Sequence, residues 1–121
     1  MRVLIVDDSN AVSMMAKEML KALGHEAERL KDAAECEEHL KKEKYDLILL
    51  DWNMPKMQGI DFLELNQEKN ITDAKIMMMT TENKPEFIVR ALSTGACEYI
   101  MKPFTQDVLQ SKIGQVFKGA A

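Results

Sequence analysis

Acidic residues follow two apolar runs of this chain at positions suited to metal binding. Asp7 and Asp8 directly follow the run 3–6, and Asp51 directly follows the run 47–50. Two like charges about 4 Å apart repel by about 4 kcal/mol at an effective dielectric of about 20, so clustered carboxylates need a cation. Oxygen ligands without histidine or cysteine select a hard ion such as Mg²⁺. The three carboxylates therefore predict a Mg²⁺ site if the fold brings them together.

A hydroxyl and an amine follow two other apolar runs. Thr80 comes after the run 76–79, and Lys102 comes after the run 98–101. A divalent metal beside a carboxylate nucleophile, a hydroxyl and an ammonium makes a phosphoryl-transfer site, because the cations neutralise the phosphoryl oxygens while the carboxylate attacks. The turn over residues 6–11 contains no glycine, which argues against a Walker loop or a dinucleotide-binding fingerprint.

The apolar runs and the patterns between them predict an α/β fold. Three of the runs are continuous rather than alternating, which is typical of parallel strands buried on both faces. A weaker run, 26–30, carries charges that suit an edge strand. Five segments fit helices: 12–23 (with Ser9 or Asn10 as its cap and Gly24 as its stop), 33–42, 59–68, 87–92 and 109–117. The order, βα repeated five times, predicts a doubly wound five-stranded parallel sheet with its ligand site at the carboxyl ends of the strands.

Length and composition exclude several classes of protein. The 121 residues predict one domain, and 46% hydrophobic with 30% charged residues is typical of a soluble globular chain. Sixteen basic against 20 acidic residues give a net charge of −4, so we expect no nucleic-acid partner. No apolar run approaches the roughly 20 residues that span a bilayer, so we expect no membrane insertion. Cys36 and Cys97 form no CxxC pattern, and we expect both to be reduced, buried thiols.

Four motifs, in this order and spacing, resemble the receiver domains of two-component response regulators. They are Val6-Asp7-Asp8; Leu50-Asp51-Trp52-Asn53-Met54-Pro55 with Gly59; Met79-Thr80-Thr81; and Tyr99-Ile100-Met101-Lys102-Pro103-Phe104. The resemblance covers essentially the whole chain. The resemblance is greatest to the stand-alone chemotaxis receivers of the CheY type, because Trp52 follows Asp51, the position of the phosphoacceptor in that family, and Glu82 lies two residues past Thr80. It implies a flavodoxin-like, CheY-like fold and a single receiver domain over residues 1–121, with no output domain.

The resemblance also implies a role for each residue of the acidic cluster. Asp51 would be the phosphoacceptor and would receive its phosphoryl group from a histidine kinase of the CheA type. Asp8, Asp51 and the backbone carbonyl of Asn53 would ligate Mg²⁺ directly, and Asp7 would act through water. The Lys102–Pro103 peptide bond would be cis.

A second group of residues would form the switch of such a receiver. Lys102 would pair with the phosphoryl group, Thr80 would move toward it, and Tyr99 would turn inward behind Thr80. The surface of the fourth helix, fifth strand and fifth helix would then rearrange to bind a downstream effector, such as a flagellar motor switch protein, or a phosphatase. Asn53 and Glu82 occupy positions that tune self-dephosphorylation.

Three functions therefore stay open from the sequence. The leading hypothesis is a cytoplasmic, monomeric response regulator of chemotaxis that catalyses only its own phosphotransfer and dephosphorylation. One alternative is a Mg²⁺-dependent phosphohydrolase with a covalent Asp51 intermediate. Many such enzymes carry an acidic residue two positions past the nucleophile, where this chain has Asn53, which cannot donate a proton in that way. The other alternative is a phosphorelay shuttle that passes the group to a histidine phosphotransfer protein.

Overall fold

Five parallel strands alternate with five helices over residues 1–117, the part of the chain that the computed structural model describes. The strands are β1 (Arg2–Val6), β2 (Glu26–Leu30), β3 (Leu47–Asp51), β4 (Lys75–Thr80) and β5 (Glu98–Met101). The helices are α1 (Asn10–Ala22), α2 (Cys36–Lys42), α3 (Gly59–Lys69), α4 (Pro85–Ser93) and α5 (Gln106–Val116). Residues 118–121, the end of the predicted domain, lie outside the described residues.

The strand order of the sheet is β2-β1-β3-β4-β5, which confirms the predicted doubly wound arrangement. The run 26–30 forms an edge strand, as its charges predict. From β1 the chain first moves outward to β2 and then returns past β1 to β3. The direction of winding therefore reverses between β1 and β3, and a crevice opens beyond the carboxyl ends of these two strands.

The core lies on both faces of the sheet, which explains why three of the apolar runs are continuous. On one face, alternate strand residues pack against α2, α3 and α4; this layer includes Leu4, Val6, Ile48, Leu50, Met78, Phe62, Leu63 and Ala91. On the other face, the intervening residues pack against α1 and α5; this layer includes Val3, Ile5, Leu47, Leu49, Met77, Ala16, Leu20 and Leu109. Successive strand side chains point to opposite faces, so the positions of a central strand that helices cover on both sides are apolar, as in 47–50 and 76–79.

The ends of α1 follow the sequence signals. The side chain of Ser9 accepts a hydrogen bond from the amide of Val12 at 3.3 Å, so Ser9 is the cap. Gly24 adopts a φ of 89°, a left-handed conformation typical of the residue that follows a helix. The segment 33–42, predicted as one helix, instead begins with a 3-10 turn at Ala33–Glu35 before α2.

The two cysteines differ in their surroundings. Cys36 is buried at the start of α2, as predicted, and burial raises the pKa of its thiol to about 12. The prediction that Cys97 is buried is wrong: Cys97 is exposed, because it precedes β5, the edge strand that no further strand covers. Within residues 1–117, no helix is long and apolar enough to cross a membrane.

Candidate functional site

The strand register brings the three predicted carboxylates together. Val6 lies opposite Leu50 in the pairing of β1 with β3, so the aspartates that follow them, Asp7 and Asp51, are neighbours across the strand ends. One carboxylate oxygen from each of Asp7, Asp8 and Asp51 lies within 4.8 Å of the other two. Asp7 and Asp51 are buried, whereas Asp8 is exposed. The cluster therefore combines two buried acids with one that solvent and ligands can reach.

Backbone contacts hold Asp51 at the end of β3. The amide of Trp52 donates to the carbonyl of Met79 at 3.0 Å, and the amide of Gly59 donates to the carbonyl of Trp52 at 2.9 Å. This second bond brings the first residue of α3 against the strand end. A Cβ on Gly59 would overlap the carbonyl oxygen of Asp51 and would stand 3.1 Å from its carbonyl carbon. Only glycine permits so close an approach of backbone to backbone.

The loop after β1 is held in a comparable way. The amide of Asp7 donates to the carbonyl of Leu30 on β2 at 3.1 Å. Oδ1 of Asp7 accepts a hydrogen bond from the amide of Ser9 at 2.9 Å. The Asp7 carbonyl accepts two hydrogen bonds from the guanidinium of Arg29, at 3.1 and 3.0 Å. Sequence reasoning missed Arg29, because no spacing along the chain indicates a contact between a strand side chain and a neighbouring loop.

Lys102 joins the two buried carboxylates. Its Nζ lies 2.8 Å from Oδ1 of Asp51 and 3.3 Å from Oδ2 of Asp7. Burial raises the pKa of Asp51 to about 6; the hydrogen bond from Lys102 opposes this rise, and the charge of Asp7 adds to it. Burial disfavours the charged form of Lys102, but its hydrogen bond to Asp51 and the charges of both aspartates outweigh burial, so the pKa of Lys102 is raised.

The donor set fits a hard divalent cation. Three carboxylates and one ammonium leave two negative charges uncompensated when all four groups are ionised. All three side chains of the cluster offer oxygen, which is the ligand type that Mg²⁺ prefers, and exposed Asp8 leaves room for the waters that Mg²⁺ retains. Asn53, the residue whose backbone carbonyl is predicted as a further ligand, is exposed in the loop that leads from β3 to α3.

Of the predicted switch residues, Lys102 contacts the cluster directly and Thr80 lies at the neighbouring strand end, whereas Tyr99 lies on β5 three residues before Lys102. Thr80 is buried at the end of β4, where its Oγ1 accepts the amide hydrogen of half-buried Glu82 at 2.9 Å. The carbonyl of Thr80 accepts the amide hydrogen of Lys102 at 2.8 Å. Tyr99 is half-buried on edge strand β5, and Nζ of Lys112 lies 4.6 Å from the centre of its ring. The Lys102–Pro103 peptide bond is cis.

Two clefts flank the cluster. A cleft of about 460 Å³ is lined by Asp8, Arg29, Leu30, Lys31, Asp32, Glu35, Pro55 and Lys56. A cleft of about 350 Å³, more apolar in its lining, is formed by Ser9, Val12, Met15, Thr81, Lys102 and Pro103. A ligand can therefore approach the acidic cluster from the side of Asp8 or from the side of Lys102.

Known proteins are similar to this chain in sequence. The family described as "Response regulator receiver domain" matches residues 3–114. The chemotaxis protein CheY-3 of Vibrio cholerae is 36% identical over 120 residues, which cover 98% of this chain and 92% of that protein. The chemotaxis protein CheY homolog of Campylobacter jejuni is 36% identical over an alignment of 124 residues, which covers 96% of this chain and 92% of that protein.

Solved structures of receiver proteins have the same fold as this chain. The chemotaxis protein CheY4 of Vibrio cholerae superposes with a TM-score of 0.86 at 32% identity, covering 95% of this chain and 97% of that one. A CheY-like receiver domain protein of Methanospirillum hungatei superposes with a TM-score of 0.83 at 34% identity, covering 94% and 90%.

Proposed function

Since the chain belongs to the response regulator receiver domain family, we propose that Asp51 accepts a phosphoryl group from a histidine kinase and that this modification changes the affinity of the chain for a downstream partner. The observation that carries the proposal is the arrangement of Asp7, Asp8 and Asp51 around Lys102 at the carboxyl ends of β1 and β3. A buried nucleophile beside two further acids and one ammonium is suited to phosphoryl transfer.

The residues of the cluster have distinct chemical roles in this proposal. Asp8, Asp51 and the carbonyl of Asn53 would hold Mg²⁺, with Asp7 acting through water, and the ion would supply positive charge to the phosphoryl oxygens. A carboxylate oxygen of Asp51 attacks phosphorus, and the bond from phosphorus to the kinase imidazole breaks, with the electron pair leaving on nitrogen. Lys102, already within hydrogen-bond distance of Asp51, moves its contact to the new phosphoryl oxygens.

The hydroxyl of Thr80, at the end of β4, would contact the phosphoryl group on Asp51. It accepts a backbone amide hydrogen, so its own proton is free to be donated to a phosphoryl oxygen. Movement of Thr80 would let Tyr99 turn inward, with Asn53 and Glu82 tuning the lifetime of the phosphoryl group. Phosphorylation adds negative charge and strong acceptors that only some conformations satisfy, which biases a two-state surface.

The partner surface in this proposal is formed by α4, β5 and α5. Val89 and Leu92 on α4 are 63% and 43% exposed, so the helix presents apolar side chains to a partner. The relatives that the chain matches are named chemotaxis proteins. We therefore propose a CheA-like kinase as the phosphodonor and a flagellar motor switch protein, a phosphatase or both as downstream partners. In this proposal the chain is a cytoplasmic, monomeric signalling protein that catalyses only its own phosphotransfer and dephosphorylation.

Incubation with acetyl phosphate and Mg²⁺ tests the phosphoacceptor directly. Intact mass spectrometry should show one added phosphoryl group on the wild type and none on Asp51→Asn, because an amide oxygen is a far weaker nucleophile than a carboxylate. Asp107→Asn, at an exposed position in the first turn of α5, is the matched control and should be phosphorylated like the wild type. An adduct that persists in Asp51→Asn would contradict the assignment, and multiple turnover of small phosphate esters would favour a phosphohydrolase instead.

Mg²⁺ should stabilise the fold, because it binds the native cluster and not the unfolded chain. At a concentration 100 times its dissociation constant, a ligand specific for the native state adds about 2.7 kcal/mol to the free energy of unfolding. Thermal melts with and without Mg²⁺, at matched ionic strength in NaCl, would measure this. Asp8→Asn should lose most of the increase in melting temperature that Mg²⁺ causes, and it should still fold, because Asp8 is exposed. A melting temperature that is indifferent to Mg²⁺ would contradict the site.

A further inference from the structure

The guanidinium of Arg29 forms hydrogen bonds with the backbone at the start of the acidic cluster. From β2, its Nε and Nη2 donate to the carbonyl of Asp7 at 3.1 and 3.0 Å, and its Nη1 donates to Oδ1 of Asn10 at 2.7 Å. The hydroxyl of Ser13 donates to the same carbonyl at 3.4 Å. One side chain on the edge strand is thus bonded both to the loop after β1 and to the first residue of α1.

These bonds extend the pairing of β1 with β2 beyond its last paired residues. The amide of Asp7 already donates to the carbonyl of Leu30. Arg29 then holds the carbonyl of Asp7, which lies in the same rigid peptide plane as the amide of Asp8. The orientation of that plane determines where the Asp8 side chain begins. Asp8 is exposed, so packing alone does not place it.

The acceptors of Arg29 are neutral, and this distinguishes it from Lys102. Lys102 binds the carboxylates of Asp7 and Asp51, whereas Arg29 binds a carbonyl and a carboxamide. Arg29 therefore adds order near the cluster without occupying a carboxylate oxygen. Arg29 and Asp8 also line the same cleft of about 460 Å³, so the guanidinium borders the open side of the cluster.

We propose that Arg29 is a positioning residue for metal binding, which it promotes by fixing the Asp7–Asp8 peptide and thereby the carboxylate of Asp8. The inference rests on the proposed function, because it takes Mg²⁺ as the ion that the cluster holds. It depends on the planar guanidinium of arginine: lysine keeps the charge, but its single nitrogen cannot replace two nitrogens that donate to one carbonyl oxygen and a third that donates to Asn10.

Mg²⁺ titration by isothermal calorimetry provides the first test. Arg29→Lys should bind Mg²⁺ about tenfold more weakly than the wild type, the lower end of the range for residues that orient metal ligands. Arg90→Lys is the matched control, because Arg90 pairs with Glu64 on exposed helix surfaces, and it should bind Mg²⁺ like the wild type. At saturating Mg²⁺, Arg29→Lys should react with acetyl phosphate within twofold of the wild-type rate, since the defect lies in affinity.

Two further measurements distinguish a role of Arg29 in positioning Asp8 from a general destabilisation of the fold. In an Asp8→Asn background, Arg29→Lys should cause no further loss of Mg²⁺ affinity, because the two residues act through one carboxylate. In the metal-free protein, the amide of Ser9, which donates to Asp7, should exchange its hydrogen faster in Arg29→Lys than in Arg90→Lys.

Each outcome decides the inference. If the wild type binds Mg²⁺ and Arg29→Lys binds it within twofold, the positioning role is wrong and the proposed function stands. If the wild type binds no Mg²⁺, the proposed function and the inference both fail. Should Arg29→Lys not fold, Asn10→Ala at an exposed position removes the acceptor of Nη1. An affinity of Asn10→Ala equal to that of the wild type would then overturn the inference, and a reduced affinity would support it.

Discussion

Gly59→Ala should lower the free energy of unfolding by about 3 kcal/mol, because overpacking a site that cannot relax costs about 1–3 kcal/mol and sometimes more. The methyl group would overlap the carbonyl oxygen of Asp51 and would stand 3.1 Å from the Cγ of Leu50. Both obstacles belong to β3, a buried central strand, so neither can move without disturbing the core. The first turn of α3 must shift away from the strand instead, and the Gly59–Trp52 backbone hydrogen bond must lengthen.

The same shift should weaken Mg²⁺ binding, because Asp51 contributes both the obstructing carbonyl and a carboxylate of the cluster. Urea denaturation at fixed pH measures the free energy of unfolding, and calorimetric titration measures Mg²⁺ affinity. Gly114→Ala is the matched control: Gly114 lies in α5, and within residues 1–117 an added Cβ would meet no atom within 4 Å apart from its chain neighbours and its own helix backbone. That variant should be stabilised by about 0.5–1 kcal/mol, since alanine favours a helix. An unfolding free energy of Gly59→Ala equal to that of the wild type would contradict the close approach.

Lys102→Ala should destabilise the metal-free protein by about 3 kcal/mol, the lower end of the cost of removing one partner from a buried ion pair. Within residues 1–117, no cation other than Lys102 pairs with the carboxylate of Asp7 or Asp51, and both aspartates are buried. The pKa of Asp51 is already raised to about 6 by burial, and Lys102 opposes that rise. Without the ammonium, the ionised form of Asp51 becomes less favourable still at neutral pH.

Mg²⁺ should reverse most of this loss, because the dication no longer competes with an ammonium for the same oxygens. The increase in melting temperature on adding Mg²⁺ should therefore be larger for Lys102→Ala than for the wild type. Lys69→Ala serves as the control, because Lys69 pairs with Glu37 at 3.4 Å and is 51% exposed, and such pairs contribute little. If Lys102→Ala showed a smaller Mg²⁺ shift than the wild type, Lys102 would instead be supporting the metal site.

Much of the fold could be predicted because the main strands are buried on both faces. Residues 3–6, 47–50 and 76–79 can be apolar throughout only in a sheet covered by helices on each side. The edge position of β2 followed from the charges in its sequence. The 3-10 turn before α2 and the exposure of Cys97 could not be predicted, because both depend on how loops pack at the edges of the sheet.

The sequence by itself determined the order of the elements and the acidic residues at the ends of β1 and β3. These features depend on local patterning and on the general rule that ligands bind beyond the carboxyl ends of parallel strands. Only the tertiary structure decided which charges pair. Lys102 is 95 residues from Asp7 and 51 from Asp51, and Arg29 is 22 residues from the carbonyl that it holds. Such contacts depend on strand register and side-chain reach, which no spacing along the chain contains.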